Sequence, residues 1–333
     1  MRILVTGAAG FIGSALCEQL MLANHEVTAI DNFSNYYDVS LKHKRVKELL
    51  SPLNLEVLDL DICDQSKVEK IVASSNPEVV VHLAAQAGVR LGVSESRKYV
   101  DSNLVGFSNV LISTIEKKVP KFLYASSSSV YGDIAKIPYS ESETNLHPSS
   151  FYGSTKLANE LLVPTLIKNS ETVARGLRFF TVYGPWGRPD MAYFRMIANA
   201  IVGTEFNFFG DGSIERDFTF ITDAVTSVIN LISELDGRKP GFSDVVNLGG
   251  GRPLSMNYLL EIVGSLTGKK VSFERYDTNL NDARKTMSDA SYIQKLIGSK
   301  PSTKLEDGIA LTIEWASRNE ISLNLDKWVK SVK

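Results

Sequence analysis

The chain has 333 residues, 44% of them hydrophobic, and sets 36 Lys and Arg against 38 Asp and Glu for a formal charge of −2. That length and apolar content exclude a disordered chain and suggest two domains, or one large domain with a lobe. The near-neutral balance gives no general attraction to nucleic acid or to an anionic membrane, so any affinity for an anion has to be local. Cys17 and Cys63 cannot build a disulfide framework, and His25, His43, His82 and His147 lie scattered without metal-ligand spacing, so no metal is expected. The apolar run at residues 3–5 ends at Thr6-Gly7, too short for a targeting core, and no stretch of about 18 apolar residues exists. A soluble protein of a reducing cytoplasm is the expectation.

Short β-branched runs alternate with longer segments of helical period. Strands are predicted at 3–6, 26–31, 55–61, 79–83 and 121–126, with helices at 14–23, 42–50, 66–74 and 103–117. Runs apolar on both faces suit parallel strands covered on both sides, and right-handed crossovers then give a Rossmann-like, doubly wound α/β sheet. The second half is less regular. Helices are predicted at 154–168, 193–202, 223–235, 257–267 and 305–317, and strands at 172–182, 218–221 and 245–248, between connectors rich in glycine, proline and charge. The segment 206–209 reads as packing, or as a strand beside a bound ring.

Gly7-Ala8-Ala9-Gly10-Phe11-Ile12-Gly13 follows the first strand and opens the first helix. Glycines there let the backbone turn tightly and approach a pyrophosphate, whose charge meets the helix N-terminus. Asp31 closes the next strand, 18 residues beyond Gly13. A carboxylate at that place accepts hydrogen bonds from a ribose 2′-hydroxyl and repels a 2′-phosphate, favouring NAD over NADP. The expected division is therefore an NAD-binding domain over 1–182, completed by segments around 215–250, and a smaller, interleaved α/β C-terminal substrate-binding lobe over 183–333.

Tyr152-Gly153-Ser154-Thr155-Lys156 sets a phenol and an ammonium four residues apart on one face of a helix that begins near Ser149-Ser150. The ammonium is expected to draw the phenol pKa down toward neutrality. Such a tyrosine can take and return the proton of a secondary alcohol while hydride moves to nicotinamide. Ser126-Ser127-Ser128-Ser129 ends the fifth strand, at the edge where such sheets bind ligands.

With these parts in order, the chain resembles the extended short-chain dehydrogenase/reductase family over nearly its whole length. Within that family it is most similar to the bacterial and plant UDP-glucuronate 4-epimerases. The segments that carry the resemblance are Ala84-Ala85-Gln86-Ala87-Gly88-Val89-Arg90, residues 100–107, residues 125–132, Phe179-Phe180-Thr181-Val182-Tyr183-Gly184-Pro185-Trp186-Gly187-Arg188-Pro189-Asp190-Met191, and Arg216-Asp217-Phe218-Thr219. The resemblance implies Tyr152 as catalytic base, Lys156 as its tuner and ribose ligand, and Ser127 as a bridging hydroxyl. It places NAD against Gly7, Gly10, Phe11, Ile12, Gly13, Asp31, Asn32, Ser34, Asp61, Ile62, Leu83, Ala84, Ala85 and Asn103. It further implies a homodimer through the helices at 103–117 and 154–168, although Leu104, Phe107 and Leu111 could equally be core.

Arg90, Arg188 and Arg216 stand in three glycine-containing loops at or beyond strand ends, and arginine forks onto phosphate or carboxylate. A UDP-uronic acid is the substrate that would use several of them. The resemblance puts Arg216 on the diphosphate, Arg188 and Thr181 near the sugar carboxylate, and Ser128, Arg90 and Asp282 among the substrate contacts. The implied reaction oxidises the sugar at C4 transiently and regenerates NAD. Its 4-keto intermediate is a β-keto acid, so the carboxylate has to be restrained against loss of carbon dioxide. The family's dehydratases and decarboxylases carry acids on the strand that holds Ser127, Ser128 and Ser129 here, which favours epimerisation. A UDP-hexose 4-epimerase (UDP-glucose or UDP-N-acetylglucosamine) and a UDP-glucuronate decarboxylase are the alternatives. Where many relatives carry Pro-Gly-Asp-Val before Thr-x-Ala-Asp, this chain has Leu280-Asn281-Asp282-Ala283 and Thr286-Met287-Ser288-Asp289.

Overall fold

The computed structural model describes residues 1–88, 92–277 and 283–332. The first half runs β1 (Arg2–Thr6), α1 (Phe11–Leu22), β2 (Glu26–Asp31), α2 (Val39–Arg45), β3 (Val57–Asp59), α3 (Gln65–Ser75), β4 (Val79–His82), α4 (Ser96–Tyr99), α5 (Phe107–Glu116), β5 (Lys121–Ser127), α6 (Phe151–Ile167) and β6 (Val173–Phe179). The second half runs β7 (Thr181–Tyr183), α7 (Ala192–Val202), β8 (Asn207–Phe209), β9 (Glu215–Phe220), α8 (Ile221–Glu234), β10 (Ser243–Leu248), β11 (Pro253–Ser255), α9 (Met256–Thr267), β12 (Glu274–Tyr276), α10 (Ser291–Ile297), α11 (Leu305–Ser317) and α12 (Asn319–Lys330).

Among the described residues one seven-stranded sheet has the order β10-β6-β5-β4-β1-β2-β3, and its pairs are parallel. The fold class read from the sequence is the one observed. Thr6 lies opposite both Ile30 and His82, so the carboxyl ends of three central strands finish level. Chain order reverses between β1 and β4, which opens the crevice where such sheets take ligands. Alternate residues face opposite layers. Ile3, Val5, Val79 and Val81 belong to one buried cluster, and Leu4 and Val80 to the other. Each buried aliphatic side chain contributes about 1.5–3 kcal/mol, which explains why these strands read as continuous apolar runs.

Three expectations are corrected. The strand at 172–182 is two strands: after Phe179 the chain leaves the main sheet, and β7 pairs with β9 in a second sheet with β11. The helix at 42–50 starts earlier, at Val39, because Asp38 accepts from the Ser40 N–H at 2.8 Å, and it widens into a π-turn over Val46–Leu50. The helix at 103–117 likewise opens with a π-turn over Val100–Gly106. Phe107 and Leu111 are core residues and Leu104 is half-buried.

Candidate active site

The strand ends open onto a cavity of about 1010 Å³. One wall is the turn from β1 to α1. Gly7 has φ +75°, and a Cβ there would lie 2.7 Å from the Ala84 backbone nitrogen, so a side chain is excluded twice over. Helix α1 begins after Gly10 with no side chain bonded to its first N–H groups. Those donors face the cavity with the helix dipole behind them, and Gly10, Phe11, Ile12 and Gly13 all line it. An uncapped helix start beside a side-chain-free turn fits a pyrophosphate.

Asp31 is buried and already partnered: its carboxylate accepts from Ala9 N–H at 3.1 Å, Phe33 N–H at 2.7 Å and Lys42 Nζ at 3.2 Å. A carboxylate offers about four acceptor positions, so one remains for a ribose hydroxyl. Lys42, which also donates to Ser34 Oγ at 3.1 Å, went unnoticed in the sequence because nothing local pairs it with Asp31. Asn32, Ser34, Asp61, Ile62, Leu83, Ala84 and Ala85 line the same cavity. Burial works to raise the Asp61 pKa, but hydrogen bonds from the Cys63 backbone and Asn32 outweigh it and keep the carboxyl below its usual range. Asn103 is different. It is fully buried and does not reach the cavity; its amide holds Gln86 at both backbone atoms and Thr155 Oγ1, so it shapes the wall from behind.

Opposite the turn, Ser150 caps α6 by accepting from the Gly153 N–H at 3.1 Å, which sets Tyr152 in the first turn. A Cβ on Gly153 would sit 2.7 Å from the Ser129 carbonyl oxygen, so glycine lets the helix start press against the serine segment. The Lys156 ammonium donates to Ala125 O at 2.9 Å and lies 5.8 Å from the centre of the Tyr152 ring. The expected lowering of the phenol is not what the structure gives. Burial pushes Tyr152 above the usual tyrosine range, and the charge of Arg188 and a hydrogen bond with Ser127 pull against it. Burial also brings Lys156 down to about 8. Helix spacing reports the attraction between the two groups but not the desolvation that both suffer.

Ser127 and Ser128 line the cavity, and Ser127 Oγ accepts from the Ser129 N–H at 3.1 Å. Behind them Ser126 bonds Glu160, which forks onto Arg178 at 2.7 and 2.9 Å. Thr181 and Arg188 line the cavity. Arg188 is not a bare cation: Nε and Nη2 grip Asp190 at 3.0 and 2.8 Å, and Tyr36 OH donates to the same carboxylate at 3.3 Å. Arg216 lines the far end with Phe208, and Nη1 donates to Ala283 O at 2.6 Å. Its neighbour Asp217 turns away and is fully buried, accepting from the backbone N–H groups of Gly250, Gly251 and Ser288. Phe206 and Phe208 are buried, and β8 pairs with β12. Arg90 and Asp282 lie outside the described residues. Among the described residues no group of side chains could hold a metal ion, and no helix is long and apolar enough to cross a membrane.

A doubly wound parallel sheet with a dinucleotide turn at its switch point and a Tyr-Lys helix facing it defines an enzyme of the short-chain dehydrogenase/reductase type. The chain belongs to the NAD dependent epimerase/dehydratase family, which it matches over residues 3–249. It is 36% identical to Protein CapI of Staphylococcus aureus over 328 residues, 95% of this chain and 98% of that one. It is 37% identical to a UDP-glucuronate 4-epimerase of Thermodesulfobacterium geofontis over 317 residues, 95% of this chain and 96% of the relative. The solved UDP-glucuronic acid 4-epimerase from Bacillus cereus, in complex with UDP-glucuronic acid and NAD, superposes with a TM-score of 0.86 at 32% identity, covering 95% of this chain and 98% of that one.

Proposed function

We propose that the chain is a UDP-glucuronate 4-epimerase, interconverting UDP-glucuronate and UDP-galacturonate with NAD held across the glycine turn. One observation carries the reading: Arg188 and Thr181 share a cavity with Tyr152, Lys156 and the serines at 126–129. That sets a carboxylate-binding group beside an alcohol-oxidising pair, on a strand end without an acid for elimination. The Bacillus cereus protein, which has the same fold, is described with this sugar nucleotide and NAD bound.

In this reading Gly7 and residues 10–13 take the pyrophosphate, Asp31, Asn32 and Ser34 the adenosine ribose, and Asp61 and Ile62 the adenine end. Leu83, Ala84, Ala85, Tyr152 and Lys156 take the nicotinamide end. Bound NAD supplies the two-electron oxidant at C4, gives the electrons back, and in its oxidised form brings a positive charge. Tyr152 takes the C4 hydroxyl proton and later returns it, with Ser127 bridging phenol and sugar oxygen. Arg188 and Ser127 favour the phenolate that the first step needs. Thr181, Ser128 and Arg188 hold the sugar carboxylate out of the alignment in which the 4-keto acid would lose carbon dioxide. Arg216 meets the diphosphate.

NAD-loaded protein incubated with UDP-glucuronate is expected to form UDP-galacturonate, with neither UDP-pentose nor net NADH. Turnover of UDP-glucose with none of UDP-glucuronate would replace the reading by a neutral-hexose epimerase.

The division into an NAD-binding domain over 1–182, completed by segments around 215–250, and an interleaved substrate lobe over 183–333 belongs to the same proposal. So does a homodimer. Val105 and Ile112 near α5 and Leu161, Leu162 and Leu166 on α6 leave an apolar face exposed on the two helices named from the sequence. Both cysteines are free thiols, which suits a reducing cytoplasm. Light scattering on Leu161→Glu tests the dimer: the variant is expected to be monomeric.

A further inference from the structure

Arg45, on the last turn of α2, is fully buried, yet its four hydrogen bonds all end on neutral oxygens. Nε donates to Trp186 O at 2.9 Å, Nη2 to Gly187 O at 3.0 Å, and Nη1 to Ala9 O at 3.2 Å and Tyr37 OH at 2.6 Å. Taking a guanidinium out of water costs several kcal/mol, and no carboxylate is among these partners to offset it. A cation buried on such terms is holding backbone in place.

The backbone it holds decides where Arg188 points. Trp186 and Gly187 are the two residues immediately before Arg188, and Trp186 sits at φ +65°, a conformation that a tryptophan does not keep unaided. The Trp186 ring is clamped against Trp315 at 5.1 Å, while Arg45 fixes both following carbonyls. Beyond Arg188, Asp190 receives Tyr36 OH from the same 36–45 segment. One stretch of chain thus fastens the loop before and after its arginine and also touches the glycine turn at Ala9. Lysine cannot replace this fork: one ammonium does not span acceptors that a planar guanidinium meets from three nitrogens.

We propose that Arg45 is a positioning residue, which sets Arg188 and through it the preference for a sugar nucleotide bearing a carboxylate. The inference rests on the reading of Arg188 given above. Its test uses the NAD-loaded full chain as wild type, Arg45→Lys, Tyr37→Phe, Arg188→Met and the Arg45→Lys/Arg188→Met double variant. KM and kcat are measured for UDP-glucuronate and UDP-glucose, dissociation constants for both are measured by calorimetry, and NAD content is read from the absorbance of released dinucleotide. Arg45→Lys is expected to retain NAD and to weaken UDP-glucuronate about tenfold or more while changing UDP-glucose binding less than about threefold. In the Arg188→Met background the same change is expected to add nothing, because the two residues act as one. Tyr37→Phe, a milder loss, shifts the same ratio in the same direction and serves if Arg45→Lys does not fold. Equal losses of binding affinity for both sugars, or loss of NAD with both, make Arg45 a general prop and overturn the assignment, as does an unchanged affinity ratio in a folded variant. If Arg188→Met leaves uronate binding untouched, the reading of Arg188 fails and takes this inference with it.

Discussion

Lys156 is held beside Tyr152 at a cost to the fold, and replacing it measures that cost. The side chain is 2% exposed, and its ammonium makes one hydrogen bond, to Ala125 O. Burial takes its pKa from 10.5 to about 8, so the folded state loses about 3 kcal/mol wherever the group is still protonated. Lys156→Met removes that loss and also the hydrogen bond, worth about 1 kcal/mol, which leaves a gain of about 2 kcal/mol at pH 7. With about 2.1 cal/mol/K of unfolding entropy per residue over 333 residues, the gain is about 3 °C in Tm. Turnover is expected to fall about 10³-fold. The pH dependence identifies the cause. Between about pH 8 and 10.5 the unfolded wild type keeps a proton that the folded protein has shed, so wild-type stability climbs with pH through that window. Below it both states are protonated and the difference is constant. The variant's advantage is therefore full at pH 7 and nearly gone by about pH 9.5. The assay is thermal unfolding of NAD-free protein at both pH values, because bound ligand would stabilise the two proteins unequally. A variant no more stable than wild type at pH 7, or an advantage that does not shrink with pH, refutes the reasoning.

Arg188→Met removes the charge that pulls the Tyr152 pKa down, so the rising limb of kcat/KM against pH is expected to move to higher pH; an unmoved limb would detach Arg188 from the base. If Thr181 restrains the sugar carboxylate as proposed, Thr181→Ala is expected to yield UDP-pentose with carbon dioxide beside the epimer; chromatography showing no more of it than wild type would end that role for Thr181. Gly153→Ala forces α6 off the Ser129 carbonyl and displaces Tyr152, with an expected loss of about 10²-fold in kcat in protein that still binds NAD. Glu160→Gln leaves the Arg178 guanidinium, only 3% exposed, without its carboxylate, and denaturant titration is expected to show about 3–5 kcal/mol of destabilisation.

The parts of the site that were legible in the sequence are those where a strand, a turn and a helix follow one another directly. The glycine turn, Asp31, the serine end of β5 and the Tyr152–Lys156 pair are each fixed by neighbours within a few positions. What was missed depends on distant partners. Trp186 lies 141 positions from Arg45 and Asp190 lies 154 from Tyr36, so no local pattern marks those residues. Asn103 was legible as a residue but not in the direction it faces. Helix α12 differs again: its buried Ile321, Leu325, Trp328 and Val329 recur at helical spacing, a pattern present in the sequence but masked by the polar residues between them.

The sign of the Tyr152 shift is the most instructive of these differences, because spacing sets the attraction between phenol and ammonium while burial acts against it. Spacing along a helix gives a distance, and a distance gives an attraction. Desolvation depends on every wall of the cavity at once, and no window of sequence contains it. Because the cavity buries both groups, the pKa of the phenol is pushed up and that of the ammonium down. Ionising Tyr152 therefore falls to charges brought in from other parts of the fold. Arg188, on a loop that α2 holds from below, is the one whose removal separates the two accounts: a base tuned by Lys156 alone would keep its pH profile without it.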